Sequence, residues 1–183
     1  MKKAVFLDRD GVIIEDTNLL YKKEEVIILS NVERVLSELK KRDYLLIIIT
    51  NQPTVARGLI TERGVEDLNS YINLKIGNLI DGFYFCPHHP NADLLKYRKN
   101  CNCRKPSSGL ILKASKDFEV NLIQSWMIGD MNSDIIAGKN AGCRTILIKS
   151  LKNKEKIEVG KKLEIQEPDY KIKNILEVLE IIK

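Results

Sequence analysis

Asp8 and Asp10 stand two residues apart directly after the apolar run Ala4-Val5-Phe6-Leu7. On an extended chain, residues two apart project to the same side, so these carboxylates repel each other unless a metal ion or a bound proton relieves them. Metal-assisted phosphoryl transfer uses such an arrangement. A plainer reading of Asp8-Arg9-Asp10-Gly11 is a strand running into a turn, since Asp and Gly are ordinary turn residues. More chemistry follows other apolar runs: Thr50-Asn51-Gln52 after residues 45–49, and Asp130 after Gly129. With water and a phosphate oxygen, such acids and neighbouring carbonyls complete an octahedral shell for a hard cation such as Mg²⁺. Lys105, in Arg104-Lys105-Pro106, would place an ammonium on a transferring phosphoryl group. Singly, each has a structural role open to it: a capped turn at 50–52, a surface lysine at Lys105, a helix cap at Asp130. Their joint order at strand ends favours the chemical reading.

A second group has softer ligands. Cys86-Pro87-His88, then twelve residues, then Cys101-Asn102-Cys103 supplies three thiolates and one imidazole, a Cys₃His set suited to tetrahedral Zn²⁺. All four positions are filled, so the expected zinc is structural and pins the loop at 86–103. Fixing that loop would fix the approach of Arg104 and Lys105 to the pocket. His89 is expected to be a bystander and Cys143 a small buried apolar residue.

The elements that must position these residues follow from periodicity. Short apolar runs at 3–7, 45–49, 83–85, 126–128 and 145–148 alternate with amphipathic stretches. Residues 31–41 carry Val32, Val35, Leu36 and Leu39 at helical spacing, with Ser30 or Asn31 as the cap, and 61–79 and 107–118 read similarly. Residues 133–141 form a shorter helix stopped by Gly142, and an edge strand at 170–172 precedes a helix bearing Ile175, Val178, Leu179 and Ile182. The stretch 149–168 reads as loosely structured. The predicted class is α/β: a doubly wound, mostly parallel sheet with helices on both faces. Ligands in such sheets sit beyond the carboxyl ends of the strands.

Composition limits the alternatives. A chain of 183 residues fits one domain, able to bury roughly 70% of its unfolded surface without staples. With 44% apolar, 30% charged and 6% aromatic residues, it reads as a globular protein without a stacking platform for single-stranded nucleic acid. The net charge of +5 is mild, and much of it lies at 149–162, where glutamates interrupt the lysines as on a solvated face. No nucleic-acid partner is expected. Only four apolar residues separate Lys3 from Asp8, too few for a secretory core, and no apolar run approaches the ~20 residues of a membrane span. A cytoplasmic monomer acting on a small molecule is the expectation, with three clustered cysteines suiting a metal site in a reducing compartment.

Asp8-Arg9-Asp10-Gly11, Thr50-Asn51-Gln52, Lys105 and Gly129-Asp130 with Asp134 resemble the motifs of the haloacid dehalogenase superfamily of phosphotransferases. The resemblance implies a HAD-like fold, with Asp8 as the nucleophile and Asp10 as general acid and then base. It implies Mg²⁺ held by Asp8, Asp130 and the Asp10 carbonyl, with Thr50 and Lys105 steadying phosphoryl oxygens and Asp134 orienting Lys105 and the metal ligands from behind. Cys-Pro-His-His-Pro, Cys-x-Cys-Arg-Lys-Pro and Thr-Asn-Gln-x-x-x-Ala-Arg-Gly are similar to the zinc-containing heptose 1,7-bisphosphate phosphatases of that superfamily, which lack a large cap domain. A sugar bisphosphate is then the implied substrate, with contacts from Asp16, Asn51, Gln52, Arg57 and Arg104. Related histidinol-phosphate phosphatases share the catalytic motifs and a zinc loop. Three positions depart from the family pattern: Asp16-Thr17-Asn18-Leu19 replaces Asp-x-Gly-Tyr, Pro53 replaces a serine, and Met131 replaces a lysine. Outside enzymes, a phosphoreceiver domain also joins acids, a Thr and a Lys on a doubly wound sheet, but the order of the motifs and the Cys/His loop do not suit it.

Overall fold

The computed structural model describes residues 1–149 and 165–183. Strands β1 (Lys3–Leu7), β2 (Tyr44–Asn51), β3 (Gly82–Cys86), β4 (Trp126–Gly129), β5 (Arg144–Ile148) and β6 (Tyr170–Ile172) form one sheet in the order β3-β2-β1-β4-β5-β6. Every pairing is parallel. Helices α1 (Val32–Lys41), α2 (Pro53–Ala56), α3 (Glu62–Lys75), α4 (Gly109–Phe118), α5 (Asn132–Ala141) and α6 (Val178–Ile181) cover it. The α/β class and the parallel sheet agree with the sequence expectation.

The sheet is apolar on both faces because alternate side chains serve opposite layers. Val5, Leu7, Leu46, Ile48 and Ile128 pack with α1, α3 and the carboxyl-terminal segment. Ala4, Phe6, Ile47, Ile49 and Met127 pack against α4 and α5. A smaller cluster of Val55, Ala56, Val65, Ala92 and Tyr97 joins α2 and α3 to the loop at 86–103.

After β3 the chain crosses to the other side of β1, which makes β1/β4 the topological switch point. Register there is specific: Leu7 lies opposite Ile48 of β2 and Ile128 of β4. Residues following the three strands therefore emerge side by side along one edge.

Element ends shift where backbone conformation intervenes. α3 stops at Lys75, short of 79, because Gly77 and Asn78 take φ values of 75° and 56° that no helix continues through. α4 begins at Gly109 because the Ser107 N–H closes a turn on the Arg104 carbonyl. Asn31 stands at the start of α1 with φ 64°, and its side chain makes no capping bond. The expected last helix is a 3₁₀ turn (Ile175–Glu177) leading into α6, and Asn174 caps it by accepting the Leu176 N–H. α2, a single turn opened by Pro53, has too few residues for a periodic signal. Most of the loosely structured stretch expected at 149–168 lies outside the described residues. Among the described residues no helix is long and apolar enough to cross a membrane.

Candidate active site

A cavity of about 520 Å³ opens beyond the ends of β1, β2 and β4, lined by the predicted pocket residues from Asp8 and Asp10 to Arg57 and Asp134. Parallel pairing explains their convergence, because strands running in one direction deliver their carboxyl ends to one edge. The loop after β1 turns at Gly11, whose φ is 85°, and a Cβ there would fall 2.3 Å from Asp130 Oδ2. Glycine is required for that close approach, so Asp-Gly here is more than a turn signal.

Asp8, Asp130 and Asp134 are buried, and one carboxylate oxygen from each lies within 4.8 Å of the others. Against them stands Lys105, also buried, with Nζ 2.8 Å from Asp8 Oδ1 and 2.6 Å from Asp134 Oδ1. Its ammonium also donates to the Ile49 carbonyl at 2.8 Å, so its three N–H groups are fixed in direction. Burial, reinforced by the charges of Asp134, Asp130 and Asp10, pushes the Asp8 carboxyl up to about 8 despite Lys105. Lys105 itself is held above the usual lysine range, the two acids outweighing its burial. Three converging acids facing one ammonium leave excess negative charge, and a divalent cation would reverse the penalty on Asp8. The donor set fits a hard cation. Asp134 belongs to this acid cluster itself and also accepts the Met131 N–H at 3.0 Å, which fixes it at the start of α5.

Asp10 sits in a different environment. The Arg9 guanidinium forks onto its carboxylate, Nε to Oδ2 at 3.2 Å and Nη2 to Oδ1 at 3.1 Å. Gln52 Nε2 donates to Asp10 Oδ2 and to Thr50 Oγ1, both at 2.9 Å, and Thr50 Oγ1 lies 3.4 Å from Asp10 Oδ2. Gln52, expected at the substrate, is thus buried with its amide engaged by protein groups. Asn51 is engaged as well: its Nδ2 donates to the Lys105 carbonyl at 3.1 Å, and the Lys105 N–H donates to its Oδ1 at 3.0 Å. That reciprocal pair ties the end of β2 to the chain entering α4.

Arg57 and Arg104 line the cavity, and Arg104 Nη1 donates to the His88 carbonyl at 3.2 Å. Asp16 accepts the Asn18 N–H at 2.7 Å on the facing loop. Asn18 has φ 70°, a left-handed conformation that Asn tolerates. Sequence reasoning missed Arg9, Thr54, Ser133 and Asn69 as parts of this region. Asn69 left one trace: it occupies the polar position within the buried stripe Val65, Leu68, Asn69, Ile72 of α3.

The Cys/His set also assembles. Sulfur-to-sulfur distances among Cys86, Cys101 and Cys103 are 3.1–3.5 Å, and His88 Nδ1 lies 3.2 Å from Cys103 Sγ. All four cysteines of the chain are free thiols. Burial pushes the Cys86 thiol above its ordinary range, so a thiolate there needs a cation, and the four soft donors suit Zn²⁺. Gly109, at the start of α4, packs so closely on this loop that a Cβ would meet the Asn102 carbonyl oxygen at 2.1 Å. As expected, His89 stands apart, accepting the Asn91 N–H, and Cys143 is buried.

The chain is similar to known proteins. The HAD-hydrolase-like family profile matches residues 102–178. A Pasteurella multocida protein named D-glycero-β-D-manno-heptose-1,7-bisphosphate 7-phosphatase is 34% identical over 187 residues, spanning 100% of this chain and 98% of its own. A Helicobacter pylori protein of the same name is 39% identical over 150 residues, 80% of this chain and 83% of its own. Among solved structures, the D,D-heptose 1,7-bisphosphate phosphatase of B. bronchiseptica, complexed with magnesium and phosphate, superposes with a TM-score of 0.83 at 24% identity, covering 98% of this chain and 97% of that one.

Proposed function

The chain belongs to the HAD-like hydrolases, in the group of the heptose-bisphosphate phosphatases, and we propose that it removes the 7-phosphate of D-glycero-D-manno-heptose 1,7-bisphosphate in a Mg²⁺-dependent reaction. The observation that carries this reading is Asp8, set 2.8 Å from Lys105 among buried acids that line a cavity sized for a sugar phosphate.

In the first step an Asp8 carboxylate oxygen attacks phosphorus, the bond from phosphorus to the sugar oxygen breaks, and Asp10 gives its proton to that leaving oxygen. In the second, a water oxygen attacks phosphorus while its proton passes to Asp10. The acyl phosphate bond then breaks and returns its electron pair to Asp8. Lys105 holds Asp8 in line, and Thr50 lies beside Asp10 to steady a phosphoryl oxygen. Asp8, Asp130 and the Asp10 carbonyl would hold Mg²⁺, which when bound neutralises Asp8 and the transferring phosphoryl oxygens. Cys86, His88, Cys101 and Cys103 would hold a structural Zn²⁺ behind Arg104 and Lys105. Asp16, Arg57 and Arg104 on the cavity wall are the proposed contacts to the rest of the sugar bisphosphate. Domain organisation is proposed as one catalytic unit carrying its zinc loop.

Phosphate release from both anomers of heptose 1,7-bisphosphate and from histidinol phosphate, with Mg²⁺ present, tests the assignment. The β anomer, the form in the relatives' names, is expected to be the best substrate, with histidinol phosphate at least ~10-fold poorer in kcat/KM, about 1.4 kcal/mol in transition-state binding. A preference for histidinol phosphate would replace the substrate while keeping the chemistry.

A further inference from the structure

Arg9 is wholly buried, at 0% exposure, although it stands between two acids at the edge of the cavity. Burying a guanidinium is unfavourable unless its donors are met, and an apolar residue of similar volume would fill the space without that penalty. Each of its three nitrogens donates to a protein oxygen. Nε and Nη2 hold the two Asp10 oxygens, Nη2 also donates to Gln52 Oε1 at 2.8 Å, and Nη1 donates to Asn69 Oδ1 at 3.0 Å. Gln52 closes a ring by donating back to Asp10.

Asn69 explains the anchor. It is 2% exposed, sits on α3 sixty positions along the chain from Arg9, and does not line the cavity. A carboxamide in an otherwise apolar helix stripe is disfavoured unless it binds a buried partner, and the partner here is the guanidinium end farthest from Asp10. Helix α3 therefore fixes Arg9, and the planar two-point contact fixes the orientation of the Asp10 carboxyl as a single contact could not.

Resting on the reading of Asp10 as acid and base, we infer that Arg9, anchored by Asn69, is a positioning residue that holds the Asp10 carboxyl where it exchanges protons with the leaving oxygen. Arg9 need not touch substrate. Its effect on the first step is specific to substrates whose leaving oxygen needs a proton.

Single-turnover rates of leaving-group release, the dephosphorylated sugar or p-nitrophenolate, with excess Mg²⁺-loaded enzyme report the first step alone and separate this role from a merely structural one. The substrates are heptose 1,7-bisphosphate, whose leaving oxygen would be a poor alkoxide unless protonated, and p-nitrophenyl phosphate, which expels a stable phenolate without protonation. Asp10→Asn sets the reference, with a loss of about 10²-fold or more on the sugar phosphate and far less on the aryl phosphate. Arg9→Met should shift the aryl-to-alkyl rate ratio the same way by about tenfold or more, with KM little changed, and Arg9→Lys should recover part of the loss. Asn69→Leu, which leaves the pocket side chains in place, should show a smaller shift of the same kind and serves if Arg9→Met does not fold. Equal losses on both substrates in the Arg9 and Asn69 variants, beside a normal Asp10→Asn reference, would overturn the inference alone. If Asp10→Asn itself lacks the leaving-group signature, the role of Asp10 falls and the inference with it.

Discussion

The acid pocket and the Cys/His cluster each gather ligand atoms within 4.8 Å of one another, but the chain assembles them in opposite ways. Acids of the pocket come from distant positions, Asp8 after β1, and Asp130 and Asp134 after β4, and hydrogen-bonded strand ends hold them in place. The cysteines and histidine come from one segment, Cys86 at the end of β3 and His88, Cys101 and Cys103 in the loop that follows it. Hard oxygen ligands at the cavity leave positions for water and a phosphate oxygen, whereas four soft ligands complete a tetrahedron. The reacting centre is thus assembled by strand order, whereas the Cys/His cluster is assembled within one segment of the chain. Asn51 joins the two regions, since its reciprocal pair with Lys105 connects the end of β2 to the segment leaving the Cys/His loop.

Three substitutions probe that contrast. Asp8→Asn should abolish phosphate release, by at least ~10³-fold, while leaving the fold intact. Its metal-free melting temperature should hold or rise, because the change removes a buried carboxylate repelled by Asp130 and Asp134; a large fall in melting temperature would show that the acids serve the fold. Cys101→Ala should lower stability and activity together, with a drop of several degrees in Tm and about 10–100-fold in kcat, and zinc chelation of the parent should reproduce both. Full activity in protein shown by metal analysis to be zinc-free would separate the loop from catalysis. Asn51→Leu should have the smallest effect, about tenfold in kcat with KM nearly unchanged, or about 1.4 kcal/mol, because it loosens Lys105 without removing it. A wild-type kcat there would show that the two regions are not coupled through this pair.

Most of the pocket was legible because its residues follow apolar strands, and the parallel arrangement turns that sequence position into a spatial one. Asp8, Thr50 and Asp130 stand at such strand ends, whereas Lys105 precedes α4 and was marked by the family resemblance. The roles of Asn51 and Gln52 were harder to read, since polar residues at a strand end look available for substrate until their amides are seen bound to Lys105, Asp10 and Thr50. Arg9 offered only its place between two acids. Asn69 offered a polar residue at one step of an apolar helical stripe, and nothing local connects it to residue 9.

Local order along the chain determined the α/β alternation, the acids and hydroxyl at the strand ends, and the four soft ligands of the loop, because periodicity and residue chemistry act over a few neighbours. Tertiary structure alone decided the strand order, the approach of Gly11 beneath Asp130, and the ring of Arg9, Gln52 and Asp10 anchored on α3. Those contacts join residues forty or more positions apart, and their geometry exists only once both layers of the sheet are packed and buried polar groups must find partners.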